Sequence, residues 1–267
     1  MRRGLSVRLE GRVIARVLKR RPDLRLPMPR DLARRLEGRR VRAIDRRAKY
    51  LLFRLDSPDV LIAHLGMSGR MVLRDRVDAP LDTHDHVVID TDDGWSIRFN
   101  DARRFGLMLL ADETALADHP LLRDIGPEPL GNEFGGELLW QALDGRRSPI
   151  KAALLDQKTV AGVGNIYACE ALYRAGIKPT RLACDVGPKR AEALAQAIRE
   201  VLGEAIEAGG SSLRDHVQPS GELGYFQHRW SVYDREGQPC PGCTCGGVVR
   251  RIVQSNRSTF FCPKRQR

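Results

Sequence analysis

The chain has 267 residues, 42% hydrophobic and 30% charged, a mixture that buries a real core and excludes an intrinsically disordered polypeptide. Forty-five Lys and Arg against 34 Asp and Glu leave a net charge of +11, which points to a polyanionic partner and away from acidic small molecules. No run approaches the roughly 18 apolar residues of a membrane span, and the basic start Met1-Arg2-Arg3 leads into no apolar stretch, so neither secretion nor membrane insertion is expected.

Charge is uneven along the chain. Residues 1–50 hold 18 basic and five acidic side chains, residues 81–144 hold four and 14, and 250–267 add six cations and no acid. Two separated basic regions suit a grip on one duplex. Short strand-like runs recur at Val13–Val17, Tyr50–Leu55, Val60–Ala63, Met71–Leu73, His86–Ile89, Trp95–Phe99 and Leu107–Leu110, a spacing that predicts a β-sandwich. Asp92-Asp93-Gly94 predicts a hairpin turn between two of them, because Asp-Gly accepts positive φ. From Glu113 the texture changes to helical periodicity over 138–143, 150–155, 166–175 and 189–208, and Gly209-Gly210 ends the longest of these. The chain therefore reads as an α+β multidomain protein: a β-sandwich over 1–112, a helical domain over 113–225, and a β-hairpin module over 226–267. Of six cysteines, Cys240, Cys243, Cys245 and Cys262 crowd that last module while Cys169 and Cys184 stand apart, a pattern of metal binding in a reducing compartment. A cytoplasmic protein is expected.

Three local patterns suggest chemistry. Gly162-Val163-Gly164-Asn165 opens a helix, where backbone approach and an Asn cap make an anion site. Met67 follows a strand between glycine-flanked turn residues, where an exposed flexible apolar side chain suits the space vacated by an extruded base. Lys49 lies among cations in Arg46-Arg47-Ala48-Lys49-Tyr50, a setting that lowers a lysine pKa toward proton transfer. Taken alone, the same residues also suit a plain capped helix, a core methionine and a phosphate-facing lysine.

Read together, His64-Leu65-Gly66-Met67-Ser68-Gly69-Arg70, His84-Asp85-His86-Val87, Asp101-Ala102-Arg103-Arg104-Phe105-Gly106, Gly162–Tyr167 and the ending Arg257-Ser258-Thr259-Phe260-Phe261-Cys262 resemble the bacterial formamidopyrimidine-DNA glycosylases, in order and over nearly the whole chain. The resemblance implies a β-sandwich, a helix-two-turn-helix domain and a zinc-finger hairpin in a monomer. It also implies excision of oxidised purines such as 8-oxoguanine from damaged double-stranded DNA, then strand cleavage by β,δ-elimination. Met67, Arg103 and Phe105 would plug the void, Arg103 facing the orphaned cytosine and Phe105 wedging the step. Asn165 and Arg257 would hold phosphates, Lys49 and Arg257 would assist elimination, and His84, Arg104 and Arg146 would contact DNA. Residues 211–226 would close over the extruded base. The alternatives are a non-catalytic damaged-DNA-binding protein and an endonuclease VIII-like glycosylase for oxidised pyrimidines, the latter disfavoured by the Met67, Arg103 and Phe105 set.

The chain departs from the family pattern twice. Members of the family begin Met-Pro-Glu-Leu-Pro-Glu and attack the sugar with the proline amine, whereas this sequence begins Met1-Arg2-Arg3-Gly4-Leu5. An N-terminal amine, with a pKa near ~8, suits that attack, so the natural chain is expected to carry about nine further residues, and residues 1–267 alone to bind damage but cut poorly. The family finger uses four cysteines, but here Arg265 stands where the fourth belongs. Cys240, Cys245 and Cys262 then supply three zinc ligands, and Cys243 is either the fourth or a spare thiol.

Overall fold

A computed structural model describes residues 1–210, 224–242, 244 and 246–267. Most of the closing segment 211–226 and both Cys243 and Cys245 lie outside these residues. The chain divides into two compact units, one of Met1–Arg123 with Ala208–Gln227 and one of Asp124–Glu207 with His228–Arg267.

The first unit is the expected β-sandwich. Among the described residues, β1 (Ile14–Lys19), β6 (Asp85–Thr91), β7 (Ser96–Asn100) and β5 (Arg70–Arg74) form one antiparallel sheet. The other sheet runs β2 (Val41–Arg47), β3 (Tyr50–Leu55), β4 (Asp59–His64) and β8 (Leu107–Asp112). Alternation sets the faces: Leu51, Phe53 and Leu55 of β3 meet Leu61 and Ala63 of β4 and Val87, Ile97 and Phe99 of the facing sheet in one core. Helix α1 (Arg2–Leu9) buries Leu5 and Leu9, one turn apart, and leaves its arginines to solvent. A short helix α2 (Leu32–Leu36) adds Leu32 and Leu36 to the same core. The Asp92-Asp93-Gly94 turn joins β6 to β7, with Gly94 at φ 86°. Strand β2 is absent from the sequence expectation because only Val41 and Ile44 are buried in a run otherwise occupied by Ala43, three arginines and an aspartate.

The second unit carries α3 (Gly136–Leu143), α4 (Ile150–Leu155), α5 (Asn165–Arg174), α6 (Pro188–Glu207) and the hairpin of β9 (Arg250–Gln254) and β10 (Arg257–Phe261). Helix α6 presents Ala191, Leu194, Ala195, Ile198, Val201 and Ala205 on one stripe. It packs so closely on α3 that a Cβ at Gly136 would stand 2.5 Å from Glu192 Cα. The hairpin turn is Ser255-Asn256, both residues left-handed at φ 48° and 59°, which starts β10 at Arg257. The hairpin ladder begins at Arg250; before it, Val248 makes an isolated bridge to Pro239, and Val249 is buried with Tyr173 and Phe260. Among the described residues no helix is long and apolar enough to cross a membrane.

Candidate functional site

One end of the second sheet gathers the first group of residues. Strands β2 and β3 are joined by the tight turn Ala48-Lys49, with Ala48 left-handed at φ 50° and its carbonyl accepting Arg46 Nη1 at 2.9 Å. Lys49 is exposed on the turn, and its neighbour Tyr50 pairs with His64 at the end of β4. The rings of Tyr50 and His64 lie 4.9 Å apart. His64 belongs to a motif quoted above, yet sequence reasoning assigns it no role. Its Nδ1 accepts the Gly66 N–H at 2.9 Å, so the neutral ring carries its proton on Nε2 and is a donor there. Burial, then Lys49 and Arg25, hold its pKa down to about 4.

This fixes a pH dependence. In the unfolded chain His64 takes a proton near pH ~6.5, whereas in the fold it does so only near 4. Its contribution is thus complete above ~6.5 and is lost as pH falls from ~6.5 toward 4, by about 2 kcal/mol after allowance for the partly wet ring. The variant His64→Gln is expected to flatten stability across that window in urea unfolding. Parallel pH slopes for the two proteins would remove His64 as the source.

Beside His64 two loops present the apolar side chains. Met67 and Phe105 are 60% and 47% exposed, unusual for their type, and the Arg103 guanidinium stands 5.7 Å over the Phe105 ring. The loops touch backbone to backbone, since a Cβ on Gly66 would collide with the carbonyl carbon of Phe105. Arg104, left-handed at φ 57°, reaches Asp23 Oδ1 at 3.8 Å. His84 is exposed and its carbonyl accepts the Asp101 N–H at 3.1 Å, which brings it to the Arg103 loop.

In the second unit, Asn165 corrects the expectation of a capping side chain. Gly164 is the cap residue and no side chain caps the helix. The Asn165 amide instead donates to Ser258 O at 3.0 Å and Tyr233 OH at 3.2 Å, while its Oδ1 is buried without a hydrogen-bond partner. Asn165 is the first helical residue and not the cap, and the elements packed on α5 offer acceptors that take the hydrogens of its side-chain amide. Asn165 is thereby tied to the residue that follows Arg257, whose side chain is exposed at the start of β10. Lys151 of α4, fully buried, donates to the same Ser258 carbonyl at 3.1 Å and to Thr259 Oγ1 at 2.7 Å. Glu170 of α5, also fully buried, accepts the N–H groups of Ser231, Val232 and Tyr233. Sequence reasoning missed Lys151, Glu170 and Tyr233, since charged residues on helices read as solvated. Arg146 pairs with Asp156 at 2.9 Å while remaining partly exposed.

Cys240 and Cys262 are buried in one small cluster with Cys169, Tyr173, Val249 and Phe260, and Cys240 Sγ lies 3.2 Å from Tyr173 OH. Two thiols so placed are donors of the type zinc takes. Arg265 binds the same tyrosine: its guanidinium stands 4.8 Å over the ring, Nε donates to Tyr173 O at 3.3 Å and Nη1 to Gly242 O at 2.8 Å. Among the described residues no three His, Cys, Asp or Glu side chains gather as a metal site.

The chain is similar to known proteins. A family model described as the formamidopyrimidine-DNA glycosylase N-terminal domain matches residues 1–108, and one described as the H2TH domain of the same glycosylase matches 125–217. Formamidopyrimidine-DNA glycosylase of Rhodospirillum centenum is 56% identical over 281 aligned positions, covering 100% of this chain and 97% of the relative, and that of Rhodospirillum rubrum is 57% identical over 272 with the same coverages. Among solved structures, the MutM (Fpg) protein of Thermus thermophilus superposes with a TM-score of 0.88 at 40% identity, covering 99% of this chain and 95% of that one. A complex of Lactococcus lactis Fpg with DNA containing an abasic site gives 0.91 at 34% identity, covering 100% and 96%. The chain belongs to the formamidopyrimidine-DNA glycosylase family.

Proposed function

We infer that the protein is a DNA base-excision repair enzyme that removes oxidised purines from damaged duplex DNA and cleaves the strand at the resulting abasic site. The observation that carries this reading is the pair of exposed apolar side chains, Met67 and Phe105, held beside Arg103 on loops next to a neutral His64 and a solvent-exposed Lys49. An enzyme that acts on a base must extrude it, and the vacated stack must be refilled. Met67 and Phe105 supply apolar bulk, and Arg103 supplies donors for the base left opposite. In the reaction an amine attacks sugar C1′ as the glycosidic bond breaks and the base leaves with a proton. The C2′ proton is then removed and the 3′ phosphate expelled, followed by the 5′ phosphate. The family's attacking proline and neighbouring glutamate are not among residues 1–267. In this reading Lys49 moves protons in these steps, and Asn165, Arg257, His84, Arg104 and Arg146 bind DNA.

In this reading residues 1–112 are the catalytic sandwich domain, 113–225 the helix-two-turn-helix domain and 226–267 the finger, acting on DNA in the cytoplasm as a monomer. The family is generally associated with a structural zinc finger. Here Cys240, Cys245 and Cys262 would hold the ion, with Cys243 as fourth ligand or spare thiol and Arg265 in the place of the missing cysteine. A bound zinc ion would supply a crosslink and no reactive chemistry. Arg265 already ties the Gly242 carbonyl to Tyr173 of α5.

Phosphate contacts fix register, whereas the plug decides which site is productive. Arg257→Ala and Arg146→Ala are each expected to weaken binding to damaged and undamaged duplex alike and to lower the salt slope by about one. Met67→Ala and Phe105→Ala are expected instead to lower the preference for the damaged duplex. Anisotropy titrations over a range of salt concentrations separate the two classes, and equal losses on both duplexes for all four variants would undo this division.

A further inference from the structure

Met67 and Phe105 stand in water, so burial does not fix them, yet a wedge that enters a base stack binds best when its shape exists beforehand. One buried carboxylate supplies the fixing. Asp101 is fully buried, and its two oxygens are taken by different loops. Oδ1 accepts the Ser68 hydroxyl at 2.5 Å, and Oδ2 accepts the Gly106 N–H at 2.8 Å. The Ser68 oxygen in turn accepts the Arg103 N–H at 3.3 Å. Ser68 directly follows Met67, and Gly106 directly follows Phe105. Each of the three wedge residues is therefore either bonded into this network or one peptide away from it.

The Asp101 peptide groups are fastened to the start of β6. Its N–H donates to His84 O at 3.1 Å, and its carbonyl lies 2.9 Å from His86 Nε2. The first loop is tightly wound, since a Cβ on Gly69 would collide with the Leu65 carbonyl oxygen, and the second is closely packed, since one on Gly106 would fall 2.6 Å from Phe99 Cζ and 2.8 Å from His64 O. Burying a carboxylate is costly, and an apolar residue would pack this junction more cheaply. Short charge-assisted hydrogen bonds to two loops give direction that apolar packing lacks.

We propose that Asp101 and Ser68 are positioning residues that clamp the 65–69 and 101–106 loops into one preformed wedge, and so set the enzyme's preference for sites whose base has left the stack. The inference rests on the reading of Met67, Arg103 and Phe105 as the plug. Ser68→Ala removes the bridging hydroxyl and little else, and Asp101→Asn keeps the size while removing the charge. The test uses the full chain and two duplexes, undamaged and carrying a tetrahydrofuran abasic-site analogue, with 2-aminopurine beside the analogue to report unstacking. Ser68→Ala is expected to lower the ratio of the two affinities about tenfold and to reduce the 2-aminopurine signal of the bound complex, with Asp101→Asn changing both in the same direction. Added to Met67→Ala and Phe105→Ala together, Ser68→Ala should lower the ratio no further, whereas a general loosening of the fold would add its loss in either background. If both clamp variants melt cooperatively and keep the wild-type ratio while Met67→Ala lowers it, the clamp is wrong and the wedge stands. If Met67→Ala and Phe105→Ala also keep the ratio, wedge and clamp fall together.

Discussion

Glu170→Ala is expected to destabilise the helix and hairpin unit by about 3–5 kcal/mol, because it leaves backbone donors buried without an acceptor. The Glu170 carboxylate accepts Ser231 N–H at 2.8 Å, Val232 N–H at 2.9 Å and Tyr233 N–H at 2.8 Å, and its residue is shut off from solvent. Each orphaned N–H costs about 1–3 kcal/mol, though three on one short segment relax together and do not sum. Glu170→Gln keeps one oxygen to accept but points an NH2 group at donors, so it should fall between wild type and alanine. Trp230, buried and 5.0 Å from the Tyr233 ring, gives a fluorescence signal for the same segment during urea unfolding. Since Tyr233 OH accepts from Asn165, affinity for DNA should fall in the same order. Unfolding midpoints for both variants close to wild type would show that the 231–233 segment is held by something other than this carboxylate.

The glutamate also shows where the sequence stops being informative. Strands β3 to β8 are legible because their apolar alternation is local, and β2 is not, because the arginines and aspartate interspersed in it hide its two core residues. The wedge residues are legible by resemblance, since Met67, Arg103 and Phe105 lie in short motifs. What holds them is not. Ser68 and Asp101 are 33 positions apart, Asn165 and Ser258 are 93, and Lys151 and Thr259 are 108. In each case a polar residue that looks like surface on its own element is engaged by an element arriving from far along the chain. The same physics explains the misreading of Asn165. A glycine-rich turn ahead of a helix signals a cap, but the signal is silent about the hairpin that takes the side chain away. His64 is equally hidden, because its neutrality depends on the Gly66 N–H and on the cations of a turn brought up by strand pairing.

Lys151 supplies the second large effect, and here the two obvious substitutions should separate. Lys151→Ala is expected to cost about 3–4 kcal/mol, part from the cavity left by a four-carbon stem and part from the stranded Thr259 hydroxyl. Lys151→Met strands the same Thr259 hydroxyl but fills the stem's volume and removes a buried cation, and the Ser258 carbonyl keeps the Asn165 amide, so its cost should fall to about 1.5 kcal/mol. The ammonium's pKa is lowered by burial, with Cys169 opposing and Arg257 adding to the shift. The sign follows from linkage. Between the lowered folded value and ~10.4 the unfolded chain holds the proton more tightly than the fold does, so this lysine makes stability rise with pH through that window. Wild type should therefore gain on Lys151→Met as pH is raised into the alkaline range, measured as the difference between their urea midpoints. A methionine variant as unstable as the alanine one would mean that the charge at Lys151, and not its bulk, holds β10 against α4, and a difference independent of pH would mean that the fold does not lower this lysine's pKa.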